Sequence, residues 1–281
     1  MNFETIKFEL KANGIGILSL NRPEKLNAIN FQMEQELHEL FDHLMTNLDC
    51  RVLILRAEGR AFCAGTDLQE GLLLNSKKLP EGYEKYYFLD VSEPVKKVTY
   101  HQWHISSMFV KMRKISQPII ALVQGAAAGG GFGFAMAADF RIVATDVNFI
   151  NASINIGLSG ADVGGSYFLP RLIGSSRATE ILFTGKSVGA EEAMKIGLAI
   201  KLVEPNELLP SALELANELL KKSPLGLRMT KQALNLSLDS PSLETICQVE
   251  NSGIVLTFSS KDMKEASAAF FGKRDPKYPL R

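Results

Sequence analysis

The chain has 281 residues, 46% of them hydrophobic, which is enough to bury a substantial core. Its 31 basic residues balance its 31 acidic residues, so no broad basic face for nucleic acid is expected. Three scattered Cys residues favour free thiols in a reducing compartment over a disulfide framework or a metal cage. The first ten residues include acidic side chains and no apolar signal-peptide region, so we expect a cytoplasmic protein without membrane insertion.

The first third of the chain predicts a strand, a helix and a second strand. The first strand covers residues 15–20 and stops at Asn21-Arg22-Pro23, where proline removes a backbone donor. Asn30 is placed to cap an amphipathic helix. Its apolar residues recur at intervals of three or four, namely Met33, Leu37, Leu40, Leu44 and Leu48. The apolar run at residues 52–55 then predicts a strand buried on both faces.

The stretch from Pro118 to Asp139 predicts a buried strand, a glycine turn and an Ala-rich helix. The turn contains Gly129, Gly130 and Gly131, which lack Cβ and let another group approach the main chain. The unpaired N–H groups at the start of a helix favour an anion, or an oxygen that becomes one during a reaction.

Three alternatives compete with this interpretation of the glycine-rich stretch. A transmembrane helix is disfavoured because a proline and five glycines interrupt the uncharged segment 115–138. A dinucleotide-binding turn is disfavoured because Phe134 and Met136 stand where that fingerprint requires Gly or Ala. Tight helix packing without any chemistry stays open unless a partner motif occurs elsewhere.

A second small-residue turn supplies such a partner motif. Residues 60–68, RAFCAGTDL, follow the second buried strand, and their turn at residues 64–67 can open a helix. If the two turns face one another, two main-chain N–H groups can converge on one oxygen, which is the geometry of an oxyanion hole.

Five segments together resemble the crotonase family, also called enoyl-CoA hydratase/isomerase. They are NRPEKLNAIN, AFCAGTDL, VQGAAAGGGFGFAMAADFRI, GLSGADVGGSYFLPRLIG and AAFFGKRDP, in the family's order and roughly its spacing. The resemblance implies an α/β fold, a crotonase-like spiral of ββα turns with a C-terminal helical oligomerisation region. The acyl-CoA-binding core would comprise residues 1–204, and the helical region at residues 205–281 would support a homotrimer or a pair of trimers.

The resemblance also implies a coenzyme A thioester as substrate, with no cofactor beyond the coenzyme A moiety itself. The thioester oxygen would lie between the N–H groups of Thr66 and Gly130, which would stabilise an enolate. The residues that would contact the substrate are Lys25, Leu26, Ala64, Thr66, Asp67, Leu68, Gly130, Phe270 and Lys273. Judged without the resemblance, Asp67 is a helix cap, Cys63 a small core residue and Lys25 a solvated side chain.

Residues 69–114 combine aromatic side chains with a helical repeat. The aromatic residues could line an acyl pocket or pack in the core; they are Tyr83, Tyr86, Tyr87, Phe88, Tyr100 and Trp103. The helical repeat consists of Ile105, Met108, Phe109, Met112 and Ile115. His101 and His104 are three residues apart but lack a third ligand, so a metal site is not expected.

The chain lacks the two glutamates with which hydratases of this family add water. Gly133 stands at the first glutamate position and Ser153 at the second, and neither accepts a proton near neutral pH. Asp162 remains, where the similar dienoyl-CoA isomerase branch has a catalytic aspartate, although one extra residue follows Gly157. Judged from the residue alone, Asp162 is a helix N-cap, and Asp139 is structural.

Helices dominate the rest of the chain. The predicted elements are helices at 175–183 and 190–196, a strand at 199–203, helices at 206–220 and 227–238, a helix opened by Ser240-Pro241, and a helix at 262–271.

These features predict an enzyme that hydrates or isomerises an enoyl-CoA double bond through an enolate. Asp162 would carry the proton, and the N–H groups of Thr66 and Gly130 would hold the oxygen. A single acid fits isomerisation more easily than water addition, because one group can take a proton and return it. The alternatives are a dienoyl-CoA isomerase, an acyl-CoA thioesterase and a non-catalytic acyl-CoA-binding scaffold, the last motivated by Gly133 and Ser153.

Overall fold

A six-stranded sheet forms the centre of the structure, a computed structural model that describes residues 2–72, 91–240 and 242–278. Its strand order is β1-β2-β3-β4-β6-β9, and only the β1–β2 pair is antiparallel. A smaller sheet has the order β5-β7-β8. The strands are Ile6–Leu10 (β1), Ile15–Leu20 (β2), Val52–Ala57 (β3), Ile119–Val123 (β4), Ala126–Ala128 (β5), Phe140–Ala144 (β6), Asn148–Ile150 (β7), Val188–Gly189 (β8) and Lys201–Val203 (β9).

The α-helices of the described residues surround these sheets and form the whole C-terminal region. They are Phe31–Thr46 (α1), Leu68–Leu72 (α2), Glu93–Lys114 (α3), Gly130–Ala137 (α4), Ala152–Asn155 (α5), Gly165–Ile173 (α6), Ser175–Thr184 (α7), Ala190–Lys195 (α8), Leu208–Leu220 (α9), Pro224–Ser237 (α10), Leu243–Phe258 (α11) and Lys261–Phe271 (α12). None of these helices is long and apolar enough to cross a membrane.

Three successive segments follow the same path through both sheets. Each has a strand in the large sheet, then backbone pairing in the small sheet, then a helix. The first segment runs through β3, a bridge from Cys63 to Ala127 in β5, and α2. The second runs through β4, β5 and α4, and the third through β6, β7 and α5. Because the path repeats, the connections that leave the small sheet lie side by side.

Alternating side chains of the large sheet enter two separate cores. Leu53 and Leu55 of β3 belong to the core that also contains residues of α1, α3 and α4. Val52 and Ile54 belong to the other core, which α9 covers. The first helix after residue 204 therefore completes the packing of the sheet, and the predicted division of the chain at that residue stays a prediction.

The ends of α1 follow from its asparagines. Asn30 caps the helix as predicted, since its Oδ1 accepts the N–H of Met33 at 3.0 Å. The helix stops at Thr46 because Asn47 adopts an extended conformation. Leu48 therefore lies outside the helix and is 43% exposed, so its predicted place on the apolar face is wrong.

A buried ion pair attaches the C-terminal helices to the core. Lys231 of α10 is 6% exposed, and its Nζ lies 2.9 Å from Asp139 Oδ2. Arg113 of α3 lies 2.9 Å from Oδ1 of Asp139, and Oδ2 also accepts the N–H of Ile119. Asp139 thus has the structural role that was predicted for it.

Candidate active site

The two small-residue turns predicted from the sequence lie against each other. The N–H of Cys63 donates to Ala126 O at 3.1 Å, and the N–H of Ala128 donates to Cys63 O at 2.9 Å. A Cβ atom placed on Gly131 would lie 2.1 Å from Cys63 O. The close approach of the turns therefore requires glycine at that position.

The backbone around Thr66 fixes the direction in which its N–H points. Ile29 N donates to Gly65 O at 2.8 Å, and Asp67 N donates to Ile29 O at 2.8 Å. Both neighbours of Thr66 therefore form backbone hydrogen bonds with Ile29. Backbone groups alternate in direction along an extended segment, so the N–H of Thr66 points away from Ile29, to the opposite edge of this segment. It donates to no acceptor among the described residues.

Gly130 supplies a second unpaired N–H beside that edge. It is the first residue of α4, and its N–H likewise has no acceptor within residues 2–72, 91–240 and 242–278. A Cβ placed on Gly65 would lie 3.4 Å from Gly130 N, so the second turn contacts the start of α4. The two turns thus bring together the donors that the sequence predicts, and their use as an oxyanion hole stays a prediction.

The other predicted contacts in the two loops are also neighbours. Ala64 N donates to Leu26 O at 2.9 Å, which joins the first loop to the second. Lys25 is exposed at the end of the short 3₁₀ helix Pro23–Lys25. Leu68 is 57% exposed at the start of α2. These residues lie on two neighbouring loops and at the start of α2. Their contact with a substrate stays a prediction.

Asp67 and Cys63 have structural partners in the same loops. Asp67 pairs with Arg22 at 3.3 Å and accepts the N–H of Gln69 at 3.2 Å, as a helix cap does. Burial raises the pKa of the Cys63 thiol to about 12, although the N–H of Gly65 partly opposes the effect. Cys63 is therefore a protonated core thiol at neutral pH rather than a nucleophile.

Phe270 and Lys273 lie in the last described helical segment. Phe270 is 79% exposed near the end of α12 and contacts the ring of Phe271. Lys273 follows that helix with a positive φ of 47°. Their predicted contact with the coenzyme A moiety stays a prediction, as do the roles of Tyr83, Tyr86, Tyr87 and Phe88, which lie outside the described residues.

Asp162 is held by three hydrogen-bond donors. Gln102 Nε2 of α3 donates to its Oδ1 at 2.5 Å, and the N–H of Val163 donates to the same oxygen at 2.8 Å. Ser153 Oγ of α5 donates to its Oδ2 at 2.9 Å. Ser153, which the family resemblance predicts to stand at the second glutamate position, therefore contacts the carboxylate of Asp162.

The N-cap interpretation of Asp162 is wrong. Helix α6 begins at Gly165, and Gly164 is its cap residue, with no side-chain hydrogen bond. Val163 and Gly164 have positive φ angles of 45° and 81°, so a left-handed turn separates Asp162 from the helix. The carboxylate is therefore held by groups from α3 and α5 instead of capping α6.

The space beside Gly133 is filled by an aromatic ring. A Cβ on Gly133 would lie 2.8 Å from two ring atoms of Phe109 and 3.0 Å from Val163 Cβ. The Phe109 ring also contacts Phe134, with ring centroids 5.2 Å apart. Phe109 therefore occupies the volume into which a side chain at the first glutamate position would extend.

A largely apolar cavity lies beyond Phe109. Its volume is about 880 Å³, and it lies between α3, α6 and α10. Phe109, Phe168, Met229 and Leu236 are among its lining residues. The Phe109 ring therefore stands between Gly133 and this cavity.

A buried carboxylate and two histidines join α1 to α3. Glu34 is fully buried, with Oε1 3.3 Å from His101 Nδ1 and Oε2 3.0 Å from His104 Nδ1. Burial lowers the pKa of His38, on the next turn of α1, to about 4, and the nearby His104 ring adds to the decrease. No metal-binding cluster of three or more suitable side chains occurs in the described part of the chain. These contacts fix the position of α3 relative to α1, and Gln102 lies on α3.

Comparison with known proteins places this arrangement in a family. The sequence model of the enoyl-CoA hydratase/isomerase family matches residues 10–280. The chain belongs to this family. It is 30% identical over 265 residues to the short-chain-enoyl-CoA hydratase of Clostridium acetobutylicum, covering 94% of each protein.

Two further comparisons agree with that membership. The chain is 31% identical over 268 residues to the 1,2-epoxyphenylacetyl-CoA isomerase of Escherichia coli K12, covering 94% of this chain and 95% of the relative. The crystal structure of an enoyl-CoA hydratase from Bacillus anthracis matches with a TM-score of 0.88 at 28% identity, over 99% of this chain and 100% of the other. The crotonase-type α/β fold and the enoyl-CoA hydratase/isomerase class of enzyme, both predicted from the sequence, are therefore confirmed.

Proposed function

We propose that this enoyl-CoA hydratase/isomerase moves a double bond in an enoyl-CoA thioester and uses Asp162 as its single proton carrier. The observation that carries the proposal is the set of hydrogen bonds around Asp162, which includes one from Ser153. One carboxylate can take a proton from a carbon and return it to another. Water addition needs a further group to hold the water, and neither Gly133 nor Ser153 supplies a carboxylate.

The proposed reaction begins with the thioester oxygen between the N–H groups of Thr66 and Gly130. Asp162 removes a proton from a carbon next to the double bond, and the electron pair of the broken C–H bond enters the enolate. The charge then develops on the thioester oxygen, beside two unpaired donors and the N-terminus of α4. Loss of one such donor typically costs on the order of 10²–10³ in rate.

Hydration is a second candidate, favoured by the name of the Clostridium acetobutylicum relative, a short-chain-enoyl-CoA hydratase. The name of the Escherichia coli relative, an isomerase of 1,2-epoxyphenylacetyl-CoA, favours the first. Both names refer to acyl-CoA substrates, in agreement with the predicted substrate class. The two candidates differ in whether water enters the product.

The test compares wild-type protein with Asp162→Asn on crotonyl-CoA, a 3-enoyl-CoA and a 3,5-dienoyl-CoA. We expect isomerised products from the wild type and a fall in kcat of at least about 10² in the variant, because general acid–base groups contribute about 10²–10⁴. Asp42→Asn is the control, since Asp42 pairs with Lys111 at the surface. Equal turnover by wild type and Asp162→Asn would remove Asp162 from the mechanism.

The products of these assays distinguish isomerisation from hydration, thioester hydrolysis and simple binding. Hydroxyacyl-CoA as the main product would favour hydration, and free coenzyme A would favour a thioesterase. Tight acyl-CoA binding in calorimetry without any turnover would favour a non-catalytic scaffold. We also propose that the enzyme requires no cofactor beyond the coenzyme A moiety of its substrate. Turnover by purified protein to which no cofactor has been added tests this proposal directly.

We propose further that the C-terminal helices assemble the protein into trimers or pairs of trimers. Large apolar side chains are exposed on α11 and α12, among them Ile254, Phe258 and Phe271 at 67%, 70% and 82%. Exposed apolar clusters of this kind favour burial against another protein surface. Light scattering on the purified protein tests the assembly, and a monomer would contradict it. The cytoplasmic location stays a prediction from the sequence.

A further inference from the structure

We propose that Gln102 and Ser153 are positioning residues that give the two oxygens of Asp162 different tasks. Oδ1 anchors the carboxylate, and Oδ2 takes the proton from the substrate and returns it. This inference rests on the proposed function, in which Asp162 is the proton carrier.

The donors at Oδ1 leave it no free lone pair. Each oxygen of an ionised carboxylate has two lone-pair sites. At Oδ1 these sites face Gln102 Nε2 at 2.5 Å and the N–H of Val163 at 2.8 Å. The backbone N–H can only donate, and a reversed Gln102 amide would place its oxygen against Oδ1. Oδ1 is therefore fixed in place and unable to accept a proton without losing a donor.

Oδ2 has one hydrogen bond and one lone pair left for a proton. Its partner among the described residues is Ser153 Oγ at 2.9 Å. A hydroxyl can donate to Oδ2 and can also turn to accept from it, so this contact survives a change in the protonation of Asp162. Oδ2 is therefore the oxygen that can carry the proton.

The two positioning side chains come from elements that are themselves fixed. Ser153 is 8% exposed on α5. Gln102 lies on α3 between His101 and His104, which both contact the buried carboxylate of Glu34 on α1. The carboxylate of Asp162 is thus held from two sides by α3 and α5, in addition to the N–H of Val163 in its own loop.

The proton transfer balances within the site. A lone pair of Oδ2 takes the proton, the C–H electron pair enters the enolate, and the negative charge moves to the thioester oxygen. Oδ2 then returns the same proton to another carbon of the conjugated system, and Asp162 regains its charge. The step requires no oxidant, reductant or water.

The kinetic test uses Ser153→Ala, Ser153→Thr and Gln102→Leu. We expect the first and last variants to lower kcat about tenfold with KM for the acyl-CoA unchanged, because they weaken proton transfer and not ground-state binding. Ser153→Thr keeps the hydroxyl that donates to Oδ2 and should restore kcat.

Two matched controls distinguish positioning from general structural damage. Ser211→Ala removes a hydroxyl that is as buried as that of Ser153, at 8% exposed, but lies on α9. Gln32→Leu removes another Gln whose Nε2 donates to a carboxylate, that of Glu36 at 3.0 Å. Both controls should keep the wild-type kcat and KM. Wild-type kinetics in Ser153→Ala and Gln102→Leu would overturn the inference.

A measurement without substrate decides the inference even if no turnover is found. Crystal structures of the substrate-free wild type, Ser153→Ala and Ser211→Ala are compared for the orientation of the Asp162 carboxylate. We expect the carboxylate to rotate or to adopt two orientations in Ser153→Ala, because Oδ2 loses its donor, and to keep one orientation in Ser211→Ala. An unchanged single orientation in Ser153→Ala overturns the inference. A changed orientation in a protein without turnover supports the arrangement of donors and contradicts the proposed function alone.

Discussion

A double-mutant cycle between Gly133 and Phe109 tests whether the aromatic ring fills the place of the missing glutamate. The two substitutions are Gly133→Ala and Phe109→Leu. The added methyl group would lie 2.8 Å from the Cε1 and Cζ atoms of the Phe109 ring, well inside van der Waals contact. Leucine lacks both of those atoms, so Phe109→Leu removes the clash with the ring, leaves the 3.0 Å contact with Val163 Cβ, and keeps an apolar residue on the buried side of α3.

The expected energies follow from two opposing effects at Gly133. Overpacking a core costs about 1–3 kcal/mol, whereas replacing Gly by Ala inside a helix gains about 1 kcal/mol. Gly133→Ala alone should therefore change the free energy of unfolding by about 0–2 kcal/mol in the destabilising direction. In the Phe109→Leu background the contact with the ring is absent and only the 3.0 Å approach to Val163 Cβ remains, so the same change should be neutral or stabilise by up to about 1 kcal/mol. The coupling between the two sites should thus be about 1–2 kcal/mol.

The assay is denaturant unfolding of the four proteins at one protein concentration, with the m-value checked for constancy. Phe41→Leu is the control, because Phe41 is also fully buried but lies on α1 and does not face Gly133. Gly133→Ala and Phe41→Leu should be additive within about 0.5 kcal/mol. Equal additivity for Gly133→Ala and Phe109→Leu would refute the conclusion that the ring occupies this space.

Three further changes test the core and the turns. Asp139→Ala leaves the buried Lys231 without its carboxylate and should cost about 3–5 kcal/mol in chemical denaturation. His38→Gln should reduce the loss of stability as the pH is lowered from 6.5 to 4. The folded pKa of His38 is about 4, so in this window the unfolded state binds the extra proton and stability decreases as the pH decreases. Gly131→Ala should prevent folding or abolish turnover, because its Cβ would lie 2.1 Å from Cys63 O. Circular dichroism tests the folding, and activity assays test the turnover.

Each of these changes has a control on the same chain. Asp42→Ala breaks an exposed ion pair with Lys111 and should cost at most about 1 kcal/mol. His43→Gln alters an exposed histidine of α1 and should leave the acid limb of the stability curve in place. Gly189→Ala adds a Cβ with no atom within 4 Å and should be tolerated. Matched effects in a test variant and its control would contradict the stated cause in each case.

The sequence predicts the parts of this protein that depend on local patterns. Continuous apolar runs identify β3 and β4, an asparagine cap marks the start of α1, and glycines mark the turns at Gly129 and Gly185, where α7 ends. The short strands of the small sheet have two or three residues, too few for a periodic signal. Their positions depend on pairing between segments that are distant along the chain.

The candidate site shows the same division between local and long-range information. The absence of glutamates at Gly133 and Ser153 is visible in the sequence, but the groups that replace them are not. Phe109 lies 24 positions before Gly133, and Gln102 lies 60 positions before Asp162. A buried periodic Phe and an exposed Gln on one helix give no signal of these contacts. They become visible only when the fold places α3 across the start of α4 and the turn before α6.

The two replacements at the glutamate positions also agree with each other in electrostatic terms. A ring at the first position adds no charge, and a hydroxyl at the second position stabilises the one carboxylate that remains. In the proposed reaction Asp162 would become neutral while the thioester oxygen became negative, so the total charge of the site would not change. A second carboxylate would face that developing charge at close range and oppose it, unless it held a proton of its own. If Asp162 is the single acid, as proposed, the site favours a step in which negative charge only moves from Asp162 to the thioester oxygen, and isomerisation is such a step.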